Sequence, residues 1–126
     1  MEKYFPQEYF KGRHVHLGVT GSIAAYKALE LLRGFYKAGM RVTVALTESA
    51  SRFVTPLSFK ALGAEIVYTS MFPRGVADEF DKGCDVLGHL TPGADADAMV
   101  ILPASATTIA RIAAGMADEI LSGQAL

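Results

Sequence analysis

The sequence predicts an α/β domain built on an open parallel sheet with helices on both faces. Three observations predict it. Runs of β-branched and apolar residues alternate with amphipathic stretches along most of the chain. One run, AMVILP at residues 98–103, is apolar without alternation, as in strands covered on both faces. Two runs end in small polar residues that lead straight into a helix, VTGSIAA at 19–25 and LPASATT at 102–108. Such strand tips hold ligands in open α/β sheets.

Residues 1–12 mix polar and aromatic side chains without a period and read as a lead-in arm. His14–Thr20 (HVHLGVT) reads as the first strand, and its alternation puts His14 and His16 on one face, in structural roles. A helix follows, with Ala25, Leu29, Leu32 and Tyr36 on one side and Lys27, Glu30, Arg33 and Lys37 on the other. Gly39 is placed to end it. Arg41–Leu46 reads as the second strand. In TESASRFVTPLSF, a polar turn precedes a short helix, and Pro56 breaks it before another from Pro56 to Leu62. Ala64–Tyr68 is a short third strand. Residues 69–88 carry glycine, proline and charge without a strong period and read as loop. Ala98–Pro103 is the fourth strand. Residues 104–123 read as one helix, with Ile109, Ile112, Ala113 and Met116 on one side.

This order gives one domain over residues 1–126, a three-layer Rossmann-like (flavodoxin-like) open parallel sheet. Such sheets have about five or six strands, and four are legible. The last strands are therefore expected to be lacking from this chain, removed or supplied by a partner.

Composition narrows the function. The formal net charge is -1, and no basic run suggests a nucleic-acid footprint. Half the residues are apolar, 51%, enough for a real core. No run approaches the roughly 18 apolar residues of a membrane span, and the start, MEKYFPQEYFKGR, has no apolar segment of signal-peptide length. The single cysteine, Cys84, excludes an internal disulfide framework and fits a reducing cytoplasm; nothing near it in sequence activates the thiol. Three histidines and one cysteine, none at ligand spacing, argue against a metal site. No G-x-S-x-G elbow is present.

The two strand-to-helix turns carry the chemistry. A helix N-terminus presents unpaired N–H groups and a partial positive charge, which suits a phosphate. In the first turn Gly21 lets an anion approach the backbone, and Ser22 offers a hydroxyl and a cap. The turn has neither the GxGxxG spacing of a dinucleotide site nor the GKS/GKT ending of a P-loop. The same residues would serve an ordinary tight turn, and spacing does not separate the two readings. In the second turn Ala104, Ser105 and Ala106 are small enough for a flat ligand to lie against them, and Ser105, Thr107 and Thr108 carry hydroxyls. Alone it would serve as a plain N-cap. Two such turns on one sheet edge suit one shared ligand, phosphate on one and ring on the other. His89, in LGHLTPGADAD, has the side chain for general acid–base work near neutral pH, and equally the profile of a surface histidine.

The segments VTGSIAAYKALELLR, TESASRFVTPLSFKAL, GHL and ADAMVILPASATTIARIAAGMADEILS, in that order, resemble the homo-oligomeric flavin-containing cysteine decarboxylases over residues 15–122. Within them the chain is most similar to the branch acting on 4'-phosphopantothenoylcysteine in coenzyme A biosynthesis. The resemblance implies bound FMN, with its phosphate on Gly21, Ser22 and Ile23. Thr47 and Phe53 would border the flavin, and Ser105, Ala106, Thr107 and Thr108 would hold the rest. It implies that His89 is the catalytic acid–base residue. The implied reaction is FMN-dependent decarboxylation to 4'-phosphopantetheine. A decarboxylase of a peptide C-terminal cysteine and a non-catalytic flavin-binding subunit are the alternatives. A small-molecule thiol substrate, a homotrimer or dodecamer, and a cytoplasmic location follow from the same resemblance. The family usually has Asn where this chain has Thr107, and a hydroxyl lacks a carboxamide's paired donor and acceptor. Pro92 and Gly93 also depart from its pattern after the histidine. Its P-x-M-N-x-x-M-W clamp and cysteine-bearing flap are expected beyond Leu126.

Overall fold

The computed structural model describes residues 7–70 and 95–126. Four strands form one parallel sheet: β1 His14–Val19, β2 Arg41–Leu46, β3 Ile66–Tyr68 and β4 Ala98–Ile101, in the order β3-β2-β1-β4. β1 pairs with β2 from His14↔Arg41 to Val19↔Leu46, and with β4 from Val15↔Ala98 to Gly18↔Ile101. The chain steps outward from β1 through β2 to β3 and then returns to β1's other side. The topological switch point therefore lies between β1 and β4.

Alternation in β1 and β2 divides the interior into two cores. Val15, Leu17 and Val19 join Val42, Val44 and Leu46 on one face. There they meet Ala28 and Leu32 of α2 (Tyr26–Lys37) and Phe59 of α3 (Pro56–Ala61). The opposite face carries Ala45 and Tyr68, covered by Ile120 and Leu121 of the last helix, α5 (Ile120–Ala125). His14, His16 and Thr43 are buried on that side too. This is the expected three-layer arrangement.

The helices differ from expectation in detail. The lead-in arm contains a one-turn helix, α1 (Gln7–Phe10). A one-turn 3-10 helix, Ile23–Ala25, precedes α2. The core stripe of α2 runs through Ala28 and Leu32, with Leu29, Leu31 and Phe35 packed beside it. Tyr36, expected on that stripe, is 50% exposed; its ring lies against Gly63 and under the Arg33 guanidinium.

The single helix expected over residues 104–123 is two: α4 (Ala106–Ala113) and α5. The cause is Gly115, at φ +71. Its N–H bonds Ile112 O at 3.1 Å, and Met116 N–H reaches back to Arg111 O at 2.8 Å. This paired closure around a left-handed residue ends a helix, and glycine adopts that conformation without a Cβ clash. Gly39, at φ +81, ends α2 with the same pair of bonds.

β4 was expected to be covered on both faces. It is instead half-buried along Met99–Ile101, because among the described strands it is an edge.

Candidate functional site

A cleft of about 600 Å³ opens at the carboxyl ends of all four strands. Gly21 follows β1, Thr47, Glu48 and Ser49 follow β2, and Thr69 and Ser70 follow β3. Ser105, Thr107, Thr108 and Arg111 come from the turn after β4 and from α4, and Asp118, Glu119 and Ile120 from the entry to α5. The volume is that of a small-molecule or cofactor site, and hydroxyls dominate the wall.

Thr20 joins the two strand-to-helix turns. It is fully buried at the end of β1. Its Oγ1 donates to Pro103 O and accepts from the Ser105 N–H at 2.8 Å, and its own N–H reaches Pro103 O at 3.3 Å. The tips of β1 and β4 are thus one rigid unit at the switch point. The Leu102–Pro103 bond is cis.

At the first turn Ser22 caps the 3-10 helix, its Oγ accepting from Ala24 N–H at 3.1 Å. The backbone hydrogen bonds between elements make no use of the Gly21, Ser22 or Ile23 N–H among the described residues. The Ile23 side chain is 82% exposed. Gly21 packs on the β2 turn so closely that a Cβ there would collide with Ser49.

At the second turn Ser105 caps α4. Its Oγ accepts from Thr108 N–H at 3.2 Å and donates to Thr108 Oγ1 at 3.1 Å, so its hydroxyl proton is already engaged. The Ala106 and Thr107 N–H groups stand in the first turn of α4, where a helix has no internal acceptors. Thr47 is buried, with Oγ1 accepting from Ala50 N–H at 3.1 Å. Phe53 is half-exposed just after a second 3-10 turn, Ala50–Arg52.

Of the residues expected to hold a ligand, Gly21, Thr47, Ser105, Thr107 and Thr108 line the cleft, while Ser22, Ile23, Phe53 and Ala106 do not. His89 and Cys84, with Pro92 and Gly93, lie outside the described residues. Sequence reasoning missed Thr20, whose partners are far away in the chain, and the wall formed by Arg111, Asp118 and Glu119. Arg111 Nε is 3.6 Å from Asp118 Oδ1 and Arg111 Nη1 is 3.7 Å from Glu119 Oε2. Burial pushes the Glu119 carboxyl above its ordinary pKa, against the pull of Arg111. The i, i+4 step from Thr107 to Arg111, with the break at Gly115 after it, was the available signal.

No group of three or more His, Cys, Asp or Glu side chains gathers as a metal site among the described residues. None of their helices is long and apolar enough to cross a membrane.

Fold and cleft define the class: an open-sheet α/β protein with a crevice at the switch point, faced by the N-termini of two helical turns. Within that class the chain belongs to the Flavoprotein family, whose model matches residues 6–125. It is 42% identical over 112 residues to the coenzyme A biosynthesis bifunctional protein CoaBC of Haemophilus influenzae, a match covering 88% of this chain and 26% of the relative. It is 38% identical over 114 residues to the probable phosphopantothenoylcysteine decarboxylase of Streptococcus mutans, covering 90% and 60%. Among solved structures it is similar to the FMN-dependent cysteine decarboxylase TvaF from thioviridamide biosynthesis. That match has a TM-score of 0.72 at 25% identity and covers 90% of this chain and 65% of the other. The chain therefore spans about a quarter of the length of the first relative and under two thirds of the second.

Proposed function

We propose that the cleft binds FMN and that the chain is the flavin-binding part of a decarboxylase. Its substrate would be 4'-phosphopantothenoylcysteine and its product 4'-phosphopantetheine. The observation that carries this reading is the pair of strand tips locked together by Thr20 beside a hydroxyl-walled cleft. The donor set fits a mononucleotide. N–H groups at the Gly21–Ile23 turn suit its phosphate. The hydroxyls of Thr47 and Thr107 suit its ribityl and ring polar atoms. Ser22, Ser105 and Thr108 shape the two turns, and Phe53 stands at the rim.

Bound there, FMN would accept the two electrons released as the substrate's thiol is oxidised and would return them to the enethiol left after decarboxylation, giving 4'-phosphopantetheine. Between the two transfers carbon dioxide leaves from a carboxylate β to a thiocarbonyl, which takes up the electron pair. His89 is the proposed acid–base residue, moving the proton at the reacting thiol. TvaF is a cysteine decarboxylase, and a peptide ending in cysteine is a second substrate class for the same chemistry.

Residues 1–126 form one flavoprotein domain in this reading. Further strands would pair along β4, an edge among the described strands. The exposed Ile109 of α4, 55% exposed, and Met116 just after the helix, 48% exposed, suit burial between copies in a trimer or a dodecamer. The proposed location is the cytoplasm.

The test is the visible spectrum of the purified full-length protein, followed without air from the moment of mixing with 4'-phosphopantothenoylcysteine. Transient bleaching of a flavin band is expected, and a protein with no flavin band, or one whose band stays unchanged throughout mixing and turnover, would overturn the reading. His89→Asn should keep the flavin and lose about 10²- to 10⁴-fold in carbon dioxide release.

A further inference from the structure

Charged side chains on the cleft wall take no part in shaping the two turns. Arg111 comes from α4, and Asp118 and Glu119 from the entry to α5. The guanidinium stands between the carboxylates, 3.6 Å from Asp118 Oδ1 and 3.7 Å from Glu119 Oε2. Neither separation is a hydrogen bond. Charge holds the three together, and neither carboxylate takes up an Arg111 N–H.

Glu119 is the more telling group. Its Oε1 is buried and has no hydrogen-bond partner among the described residues. The place in the helix does not use it. Glu119 stands just before α5 at φ −136, where a shorter side chain would cap, and it makes no capping bond. Burial raises its carboxyl above the ordinary pKa, and Asp118 adds to the rise; Arg111 and the nearby Ser122 N–H oppose it. A buried acceptor without a donor is destabilising until one arrives.

The helix behind Glu119 keeps it at the wall. Leu121 is fully buried against Gly18, and Gln124 Oε1 lies 2.7 Å from His16 Nε2. The wall therefore presents, side by side and already placed, the N–H donors of Arg111 and the bare acceptor of Glu119. Their complement is an imide edge, an N–H flanked by carbonyls. FMN carries one such edge, on the pyrimidine ring of its flavin. A carboxylate or phosphate is a poorer match. It could meet the guanidinium, but it would set its charge against Asp118 and Glu119 and leave Oε1 without a donor.

We propose that Glu119 and Arg111 bind the imide edge of the flavin, Glu119 Oε1 accepting from the ring N3–H and Arg111 donating to a flanking carbonyl oxygen. This rests on the cleft being the FMN site, but not on which cysteine derivative is decarboxylated. Arg111 then also tunes the cofactor. Two-electron reduction adds negative charge to that side of the ring, so a guanidinium beside it favours reduced FMN and raises the midpoint potential. That is the direction needed to take electrons from a thiol.

The test is binding of FMN and of 3-methyl-FMN, which carries a methyl group in place of the N3 proton, to the full-length protein freed of flavin, read by quenching of flavin fluorescence. Wild type should prefer FMN by about ten- to a hundredfold, the range for a hydrogen bond to a charged group. Glu119→Ala should bind FMN more weakly by a similar factor and lose the preference. Arg111→Met should keep the preference. With FMN bound, its midpoint potential should fall by about 30–60 mV, a ten- to hundredfold change in relative affinity for reduced over oxidised flavin at about 30 mV per tenfold. No preference in wild type, or an equal one in wild type and Glu119→Ala, would overturn the role of Glu119. An unchanged potential in Arg111→Met would overturn that of Arg111. If Glu119→Ala does not fold, the wild-type preference and the Arg111→Met potential decide. A wild type that binds neither flavin would overturn the cofactor reading as well, whereas one that binds both equally overturns this inference alone.

Discussion

At the residue scale the cleft depends on a hydroxyl that the sequence disguises. Thr20 ends an apolar strand and reads there as one more β-branched residue. Its value lies in two bonds to Pro103 and Ser105, partners that only the folded sheet brings beside it. Thr20→Val keeps the shape and removes both. The Ser105 N–H, partly buried, is then left without its acceptor, at a cost of about 1–3 kcal/mol. We expect a lower denaturation midpoint together with weaker flavin retention, because the two tips are no longer locked. Equal retention in Thr20→Val and wild type would show that the lock does not set the site. Gly21 and Ser105 were legible because their turns stand next to one another in sequence with a helix. Thr20, His16 and Gln124 were not, since side chains meeting across the fold leave no local period.

Among the elements, strands were read well and the last helix badly. β1 and β2 have the expected alternation and begin where expected. The third strand begins two residues later than its run and the fourth ends two residues earlier, because a run extends beyond the residues that pair. The long helix failed on one residue. Gly115 ends α4 as Gly39 ends α2, each at positive φ with the same pair of closing bonds. The expected apolar stripe is divided, with Ile112 packed against the second core and the rest of it exposed. Ile109 and Met116 point outward, while Thr108 is buried and Arg111 faces the cleft. A stripe predicts burial, but not whether the covering surface belongs to the same chain. Gly115→Ala tests the break. An L residue held at that φ costs about 1–2 kcal/mol, and the alternative, a continuous helix, would carry α5 away from β1. We expect a destabilised protein whose exchange protection is lost first in α5. Unchanged protection there would mean that the turn tolerates a side chain.

For the whole molecule, the order of strands and helices fixed the fold class, and the switch point followed only once β4 was placed beside β1. That placement brings the end of the chain back onto its first strand. The contact is close: a Cβ at Gly18 would lie 2.9 Å from Leu121 Cδ1 and 3.4 Å from Ile101 Cγ1. Leu121 is fully buried, so it cannot swing into solvent to make room. Gly18→Ala should therefore push α5 outward and destabilise by about 1–3 kcal/mol, as overpacking does. Leu121→Ala should leave a void costing about 2–5 kcal/mol. Together they should cost less than their sum by about 1 kcal/mol or more, because the new methyl enters the vacated space. Denaturant titration of the four proteins in this cycle measures the coupling. Because Ile120 walls the cleft, flavin retention should fall in Gly18→Ala and recover in the double variant. Additive stabilities would separate the seating of α5 from β1, and with it the reason that a helix of six residues can shape the site.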